Sequence, residues 1–316
     1  MDRRQFLLGA SGLLLAPRLR LATAPRKVAL VTADLESRLV AVEIPSGRVL
    51  RHVPTLAFPR SVQRVGDSAV VAHSDLGAVT IVDGPTLSVR HVLHGFAEPR
   101  YTIGHPDGRH AWITDAGRGE VVALDVHTGR VLGRESVGPR ARHITLDTNA
   151  RTLWIALGSK AEEIAVVDVS RPDRPRLLSR FRPPFLAHDV GFAPDGRHAW
   201  VSAGDAFRLA VYDARSGRLL SQPYGDFAPQ HVTFAGDLVY VTSGWNGSLR
   251  VYRTDGKPLS RTTVPVGSYN VQADFGWVVT AALGHGYFTL ADDRGRVVRS
   301  EKIARSSHDA CIVTAA

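Results

Sequence analysis

One nine-residue phrase occurs twice in this chain and constrains its fold more than any other feature. Residues 106–114 read Pro-Asp-Gly-Arg-His-Ala-Trp-Ile-Thr, and residues 194–202 read Pro-Asp-Gly-Arg-His-Ala-Trp-Val-Ser, 88 positions later. A repeat length of half that spacing also fits the sequence, because a related stretch, residues 142–155, lies between the two copies. A period of roughly 40 residues is typical of propellers and solenoids. The chain is therefore predicted to be an array of one small unit.

A second recurring pattern sets the number of units. It is an acidic residue followed within a few positions by Gly-Arg or a related pair and then by apolar residues. The pattern begins at Glu43, Asp125, Asp213, Asp255 and Asp293, with degenerate copies at Asp83 and Asp168. These copies indicate seven units of about 40 residues.

Each unit reads as β-structure. Its apolar runs are short, rich in β-branched residues and bounded by Gly, Asp, Ser or Pro, as in residues 28–31 and 69–72. Asp-Gly in the repeated phrase indicates a tight hairpin turn, because both residues tolerate positive φ. Four strands per unit, seven times over, predict an all-β, seven-bladed β-propeller in a single domain, residues 25–316.

The two ends of the repeat region predict how the ring closes. The first unit starts near Lys27 with its second strand and has no first strand of its own. Residues 307–313, Ser-His-Asp-Ala-Cys-Ile-Val, match the first strand of a later unit, residues 187–192. We expect this C-terminal strand to complete the first blade, whereas a solenoid would instead need polar caps.

Several units resemble the YVTN-type repeat family. Residues 192–196 read Phe-Ala-Pro-Asp-Gly, residues 239–243 read Val-Tyr-Val-Thr-Ser, and residues 79–83 read Val-Thr-Ile-Val-Asp. The resemblance covers residues 26–314 and implies a propeller architecture. It leaves the activity open, since such propellers include binding proteins, lactone hydrolases and domains of redox enzymes.

The first 24 residues lie outside the repeat and have the pattern of an export signal. Arg3 and Arg4 precede an apolar run, and Ala22-Thr23-Ala24 provides small residues for cleavage. The arginine pair followed by Phe-Leu-Leu resembles a twin-arginine signal, with an ordinary export signal as the alternative. The prediction is export to the periplasm, the cell envelope or the outside. The apolar run of the signal is too short to be a membrane span. No membrane span is expected in the chain that remains after removal of the signal.

Charge and sulfur content narrow the function further. The net charge is +9, and residues 1–24 hold four Arg and one Asp, which leaves about +6 for the remainder. Most arginines recur at turn positions such as Arg48 and Arg130, so no dedicated nucleic-acid binding is expected. With Cys311 as its one cysteine and Met1 as its one methionine, the chain offers no haem c attachment and no methionine ligand. A monomer with a small-molecule or envelope-protein partner is predicted.

A propeller brings the first strand of every blade to a central channel, so aligned positions form rings. The positions that open this strand are polar in every blade: Arg60, Arg100, Arg142, His188, Gln230, Tyr269 and His308. The next positions are also polar or aromatic: Ser61, Tyr101, His143, Asp189, His231, Asn270 and Asp309. Side chains from distant parts of the sequence are therefore expected to converge at one mouth of the channel.

Three chemistries fit this mouth, besides a purely structural role as channel polarity. The first is a divalent transition metal, with candidate ligands His143, His188, Asp189, His231, His308 and Asp309. The second is a small anionic ligand, with candidate binding residues Arg60, Arg100, Arg142, Tyr101, Gln230, Trp245, Tyr269 and Asn270. The third is a His-Asp pair acting as general base on an ester or lactone.

The sequence thus predicts an exported binding protein whose polar mouth takes a small anionic ligand or a metal. A metal-assisted hydrolase similar to the lactonases is the first alternative. An accessory factor of an exported redox enzyme is the second.

Overall fold

The computed structural model describes residues 25–316, and the predicted export signal lies outside the described residues. The described chain forms seven four-stranded antiparallel sheets arranged around a central channel. The all-β, seven-bladed propeller is therefore confirmed. No helix in residues 25–316 is long and apolar enough to cross a membrane.

The strands are numbered along the chain and lettered A to D from the channel outward. Blade 1 contains β1 (Arg26–Ala33), β2 (Arg38–Glu43) and β3 (Val49–Pro54). Blades 2 and 3 contain β4 (Ser61–Val65), β5 (Ser68–His73), β6 (Ala78–Asp83), β7 (Ser88–His94), β8 (Pro99–Gly104), β9 (His110–Asp115), β10 (Glu120–Asp125) and β11 (Arg130–Ser136), with a 3-10 turn at Ser74–Leu76.

Blades 4 and 5 contain β12 (Ile144–Leu146), β13 (Thr152–Ala156), β14 (Ile164–Asp168), β15 (Arg176–Phe181), β16 (Ala187–Phe192), β17 (His198–Ala203), β18 (Leu209–Asp213) and β19 (Leu219–Ser221). Blades 6 and 7 contain β20 (Val232–Ala235), β21 (Leu238–Ser243), β22 (Ser248–Arg253), β23 (Pro258–Thr263), β24 (Ser268–Asp274), β25 (Trp277–Ala282), β26 (Tyr287–Asp292) and β27 (Val297–Lys302). The last strand is β28 (Ala310–Ala315).

Strand β28 closes the ring, as predicted. It pairs antiparallel with β1, placing Cys311 opposite Leu30, and so supplies strand A of blade 1. The Thr32 amide donates to the Asp309 carbonyl at 2.9 Å, which extends this pairing toward the channel mouth. The two ends of the described chain therefore hold each other in one sheet.

The core consists of apolar layers between neighbouring blades. Alternate residues of a strand face opposite sides of its sheet, so Val28 and Leu30 pack toward blade 2 while Ala29 and Val31 pack toward blade 7. The tryptophans of the repeated phrase and its relative are buried in these layers, as expected from their shared position: Trp112, Trp154 and Trp200.

The Asp-Gly turn of the repeated phrase behaves as its sequence predicts. Gly108 has a φ of 68°, a conformation that costs glycine little. The Asp107 carboxylate accepts the backbone amides of Arg109 and His110 at 2.8 and 2.9 Å, which stabilises the hairpin between β8 and β9.

Candidate functional site: a histidine group at the channel mouth

The entrance of strand A is irregular in three blades, and this irregularity presents consecutive polar residues at the mouth. In blade 5 the pairing passes from Ala187–Ala203 to Val190–Val201, so strand A holds one residue more than its partner over that interval. Equivalent shifts occur in β8 and β24. Such a bulge re-aims side chains at the end of a strand.

The predicted second ring assembles around the channel. A cavity of about 350 Å³ is lined by the second position of every blade: Ser61, Tyr101, His143, Asp189, His231, Asn270 and Asp309. Deeper strand-A residues such as Ile144 and Val190 continue its wall toward the A–B turns. The cavity thus has a polar end at the mouth and a mixed interior, where Ile103 and Phe234 lie beside Arg64 and Asp274.

Three histidines from blades 4, 5 and 6 form a compact group at this polar end. The centroid of the His143 ring lies 4.5 Å from that of His188 and 4.7 Å from that of His231. The centroids of the His188 and His231 rings are 5.5 Å apart. One ring nitrogen of each lies within 4.8 Å of the others, a spacing that could hold a metal ion.

The tautomers of two of these histidines follow from their partners. His188 Nδ1 lies 2.9 Å from the Ser159 carbonyl, which only accepts, so Nδ1 carries the proton and Nε2 keeps its lone pair. His231 Nδ1 lies 3.2 Å from a carboxylate oxygen of Asp189, which places the ring proton on Nδ1 and leaves the lone pair on Nε2, where the Tyr101 hydroxyl is its neighbour at 3.5 Å. Orientation of a ligating histidine by a carbonyl or carboxylate is the usual supporting arrangement at metal sites.

His143 lies between the other two and has no comparable support. It is buried, and within residues 25–316 neither of its ring nitrogens has a hydrogen-bond partner. A buried polar group without a partner is costly and calls for an explanation such as a bound ion. The three histidines therefore fit a transition metal, which imidazole nitrogens bind well.

The electrostatic surroundings keep these imidazoles neutral. Burial, followed by the neighbouring histidines and Arg142, holds the pKa of His143 well below its ordinary value. Burial, followed by His231 and Arg142, does the same for the pKa of His188. Neutral imidazole is the form that binds metals, so two of the three ligands need not lose a proton.

Tyr101 lies against the histidine group. Its ring centroid is 4.3 Å from that of His143, and its hydroxyl oxygen is 3.5 Å from His231 Nε2. Burial raises the pKa of Tyr101, which keeps the phenol protonated. The hydroxyl therefore donates to the His231 Nε2 lone pair, and a metal bound at that nitrogen would take the place of this long hydrogen bond.

The first-ring arginines concentrate positive charge near this group. Burial, together with the charges of Arg142 and Arg60, lowers the pKa of Arg100, whose guanidinium also pairs with Glu98 at 3.1 Å. The Nε atoms of Arg60 and Arg142 are buried and have no hydrogen-bond partner in residues 25–316. Guanidinium groups with unused donors favour carboxylate or phosphate ligands.

His308 is not part of the three-histidine group, although it lies in the same ring. The Asn270 side-chain amide donates to His308 Nδ1 at 2.8 Å and to the His308 carbonyl at 2.9 Å. Because Nδ1 accepts, the ring proton is on Nε2, and burial first of all lowers the pKa of His308 well below its usual range. Neither ring nitrogen thus has a lone pair to offer without rearrangement.

Asp309 and Gln230 serve the backbone. The Asp309 carboxylate accepts the amides of Val62 and Ala310 at 3.0 and 2.8 Å, and burial raises its pKa to about 7. The Gln230 side-chain oxygen accepts the Gly244 amide at 2.8 Å. The structure therefore gives these two candidates structural contacts.

Two aromatic candidates lie at the rim. Trp245 is 63% exposed, and its ring lies edge-on to Tyr269 with centroids 5.9 Å apart. The structure brings neither ring into the three-histidine group or the lining of the cavity.

The sequence analysis missed Asp34 beside this mouth. Asp34 follows strand B of blade 1 and is buried, and its carboxylate accepts the His308 amide and the Ser306 hydroxyl, both at 3.2 Å. Burial raises its pKa, while the charge of Arg60 is among the opposing influences. The sequence did carry a signal that could have identified Asp34. Acidic residues also lie at or just after the end of strand B in blades 2 and 3, at Asp75 and Asp115.

The fold recurs in solved structures that are distant in sequence. One is a functionally unknown protein from Desulfotomaculum acetoxidans DSM 771, which matches with a TM-score of 0.78 and 13% sequence identity. The match covers 91% of this chain and 99% of that chain. Another is the hydrazine synthase of Kuenenia stuttgartiensis: TM-score 0.65, 15% identity, 79% and 88% covered. At these identities the likeness shows the fold alone. No family model matches the sequence, and neither does any curated protein.

Proposed function

We propose that the protein is an exported binding protein that holds a divalent transition metal at His143, His188 and His231. The observation that carries the proposal is the buried His143 ring, which has no hydrogen-bond partner within residues 25–316 and lies between two histidines whose Nε2 atoms carry a lone pair. Three imidazole nitrogens suit zinc, copper, nickel or iron. Export rests on the pattern of residues 1–24 and is part of the proposal.

The arginines point to an anion as the second component. The same positive charges that lower the pKa of His143 oppose a bare metal cation in the group. An anion that contacts both the metal and the guanidinium of Arg142 would offset this repulsion. We therefore infer that metal and a carboxylate or phosphate ligand bind with positive cooperativity, each raising the affinity for the other.

Zinc titration of the purified protein by calorimetry tests the metal site. His143→Leu is the informative variant, because the imidazole has no hydrogen bond to lose and leucine suits a buried position. We expect it to abolish one zinc-binding event. Thr102→Val is the matched control, since Thr102 lines the same cavity with an unpartnered hydroxyl. Retention of every zinc-binding event by His143→Leu would overturn the proposal.

The anion is tested by repeating the titration with citrate-free buffer and added inorganic phosphate. Wild-type protein should bind zinc more tightly with phosphate present, and Arg142→Gln should lose that gain while still binding zinc. Equal affinities with and without phosphate would remove the anion from the proposal and leave the metal in it.

The cavity beside the histidines favours one second candidate, a metal-assisted hydrolase. Three histidine ligands leave a zinc ion with a position for water, which zinc makes more acidic. The cavity of about 350 Å³ gives room for a small substrate next to that position. A screen of lactones and carboxylic esters with zinc-loaded protein tests it, with His143→Leu as the negative control. Hydrolysis equal in both proteins would refute it.

A further inference from the structure

A second group of possible metal ligands lies at the other end of strand A, in the A–B turn of blade 3. His105, Asp107 and His110 each place one donor atom within 4.8 Å of the others. His110 Nδ1 is 2.6 Å and His105 Nδ1 is 3.0 Å from the same carboxylate oxygen of Asp107. The carboxylate oxygen therefore faces two imidazole nitrogens at once.

The contact between His105 and Asp107 is electrostatically incomplete. The Asp107 amide donates to His105 Nδ1 at 3.1 Å, which requires a lone pair on that nitrogen. A lone pair 3.0 Å from a carboxylate oxygen is repelled by it. A proton on Nδ1 would relieve the repulsion but would face the amide hydrogen. A cation shared by the carboxylate and the two imidazoles relieves the repulsion, in exchange for the amide hydrogen bond to His105 Nδ1 and with release of the proton between His110 Nδ1 and Asp107.

Blade 5 contains the same turn without the third ligand, because the second copy of the repeated phrase is preceded by Ala193 where the first is preceded by His105. His198 Nδ1 lies 2.6 Å from Asp195, as His110 does from Asp107. The aspartate–histidine pair is therefore a property of the turn. Of the three possible metal ligands in blade 3, only His105 has no counterpart in blade 5.

We propose that His105, Asp107 and His110 bind a divalent transition metal, independently of the channel. The mixed set of two imidazoles and one carboxylate suits zinc, nickel or copper. All three side chains are partly exposed, which leaves room for water as a further ligand. Ligand bonds of 2.0–2.1 Å place tetrahedral donors about 3.3 Å apart, so the two contacts to Asp107, at 2.6 and 3.0 Å, would each lengthen by less than about 1 Å, while the two imidazole donors lie within 4.8 Å of each other. A metal here would fasten residue 105, at the end of strand A, to the turn and to the first residue of β9.

Equilibrium dialysis against zinc at pH 7.5 tests the proposal by counting ions per chain. His105→Ala gives blade 3 the donor set of blade 5, whose turn forms without a third ligand, and should bind one zinc ion fewer than wild type. His110→Ala should lose the same ion. His198→Ala is the matched control, because it removes the same aspartate–histidine pair from a turn with no third ligand, and should lose none.

A local probe separates this site from the channel site. The His105 ring lies 5.8 Å from the indole of Trp112, and blade 5 has Trp200 at the same position. Substoichiometric copper should broaden the indole N–H resonance of Trp112 more than that of Trp200. This broadening should persist in His143→Leu and vanish in His105→Ala. An unchanged zinc count in His105→Ala, or Trp112 broadening that depends on His143, would overturn the proposal and leave the channel site standing.

Discussion

Acid should destabilise the metal-free protein through three channel histidines, of which His143 and His308 are buried and His188 is partly exposed. His143, His188 and His308 have pKa values well below the ordinary value of 6.5, mainly through burial. As pH falls through 6.5, the unfolded chain takes up protons that the folded state refuses, so stability is present at higher pH and is lost as pH falls. His73, whose pKa burial lowers, acts in the same direction.

Carboxylic acids in the same channel oppose this loss. Burial raises the pKa of Asp309 to about 7, so the folded state binds a proton below pH 7 that the unfolded chain does not hold until near pH 3.8. The group therefore contributes stability at lower pH that is lost as pH rises through 7. Asp34, whose pKa burial raises, acts in the same direction.

The largest possible magnitudes follow from the limit in which all three imidazoles stay neutral in the folded state. Between pH 7.5 and 5.5, an imidazole of unfolded pKa 6.5 that stays neutral in the folded state costs about 1.4 kcal/mol. Three such groups cost about 4 kcal/mol, while protonation of Asp309 returns about 2 kcal/mol. We expect the free energy of unfolding to fall by about 2 kcal/mol over this interval.

Urea unfolding in the presence of a chelator, at pH 7.5 and 5.5, measures this loss. His143→Leu removes one of the three imidazoles and should reduce the acid loss by about 1.4 kcal/mol relative to wild type. Thr102→Val should change the free energy of unfolding at both pH values by the same amount. An acid loss in His143→Leu equal to that of wild type would refute the assignment of a neutral imidazole at this position.

Two further predictions concern closure of the ring and support of the metal site. Ile312→Ala should destabilise the protein by about 2–5 kcal/mol in urea unfolding, because Ile312 is buried between blades 1 and 7 on the closing strand; a loss below about 1 kcal/mol would show that closure contributes little. Asp189→Asn should weaken zinc binding about 10–100-fold in calorimetry, because the amide fixes His231 less firmly than the carboxylate does; unchanged affinity would exclude a supporting role for Asp189.

The architecture could be derived from the sequence because it is encoded by local, repeated signals. The Asp-Gly turns and the match between residues 307–313 and 187–192 were enough to place β28 beside β1. All seven residues of the second ring line the cavity, because blade register alone decides which residues face the channel, while their roles in binding stay predictions.

The roles of individual site residues depend on hydrogen bonds between blades, which spacing does not show. His188 and His308 occupy equivalent ring positions, yet one donates to the Ser159 carbonyl and the other accepts from Asn270. As a result, His188 has a lone pair on Nε2, whereas His308 has a proton there. His110 and His198 occupy the same position in the two copies of the repeated phrase, and the residue directly before the phrase differs, being His105 in the first copy and Ala193 in the second.

The closing strand separates the assembly of the channel into two stages. Strands β1 and β28 lie near opposite ends of the described chain and pair with each other. The Lys27 ammonium, for example, donates a hydrogen bond to the Thr314 hydroxyl, 287 positions away in the sequence. Such long-range pairing is slow to form because loop closure precedes it. His143, His188 and His231 come from three consecutive blades and are synthesised well before β28. A nascent chain could thus assemble its three-histidine group while the ring is still open, whereas the bond between Asp309 and Val62 has to wait for the final strand.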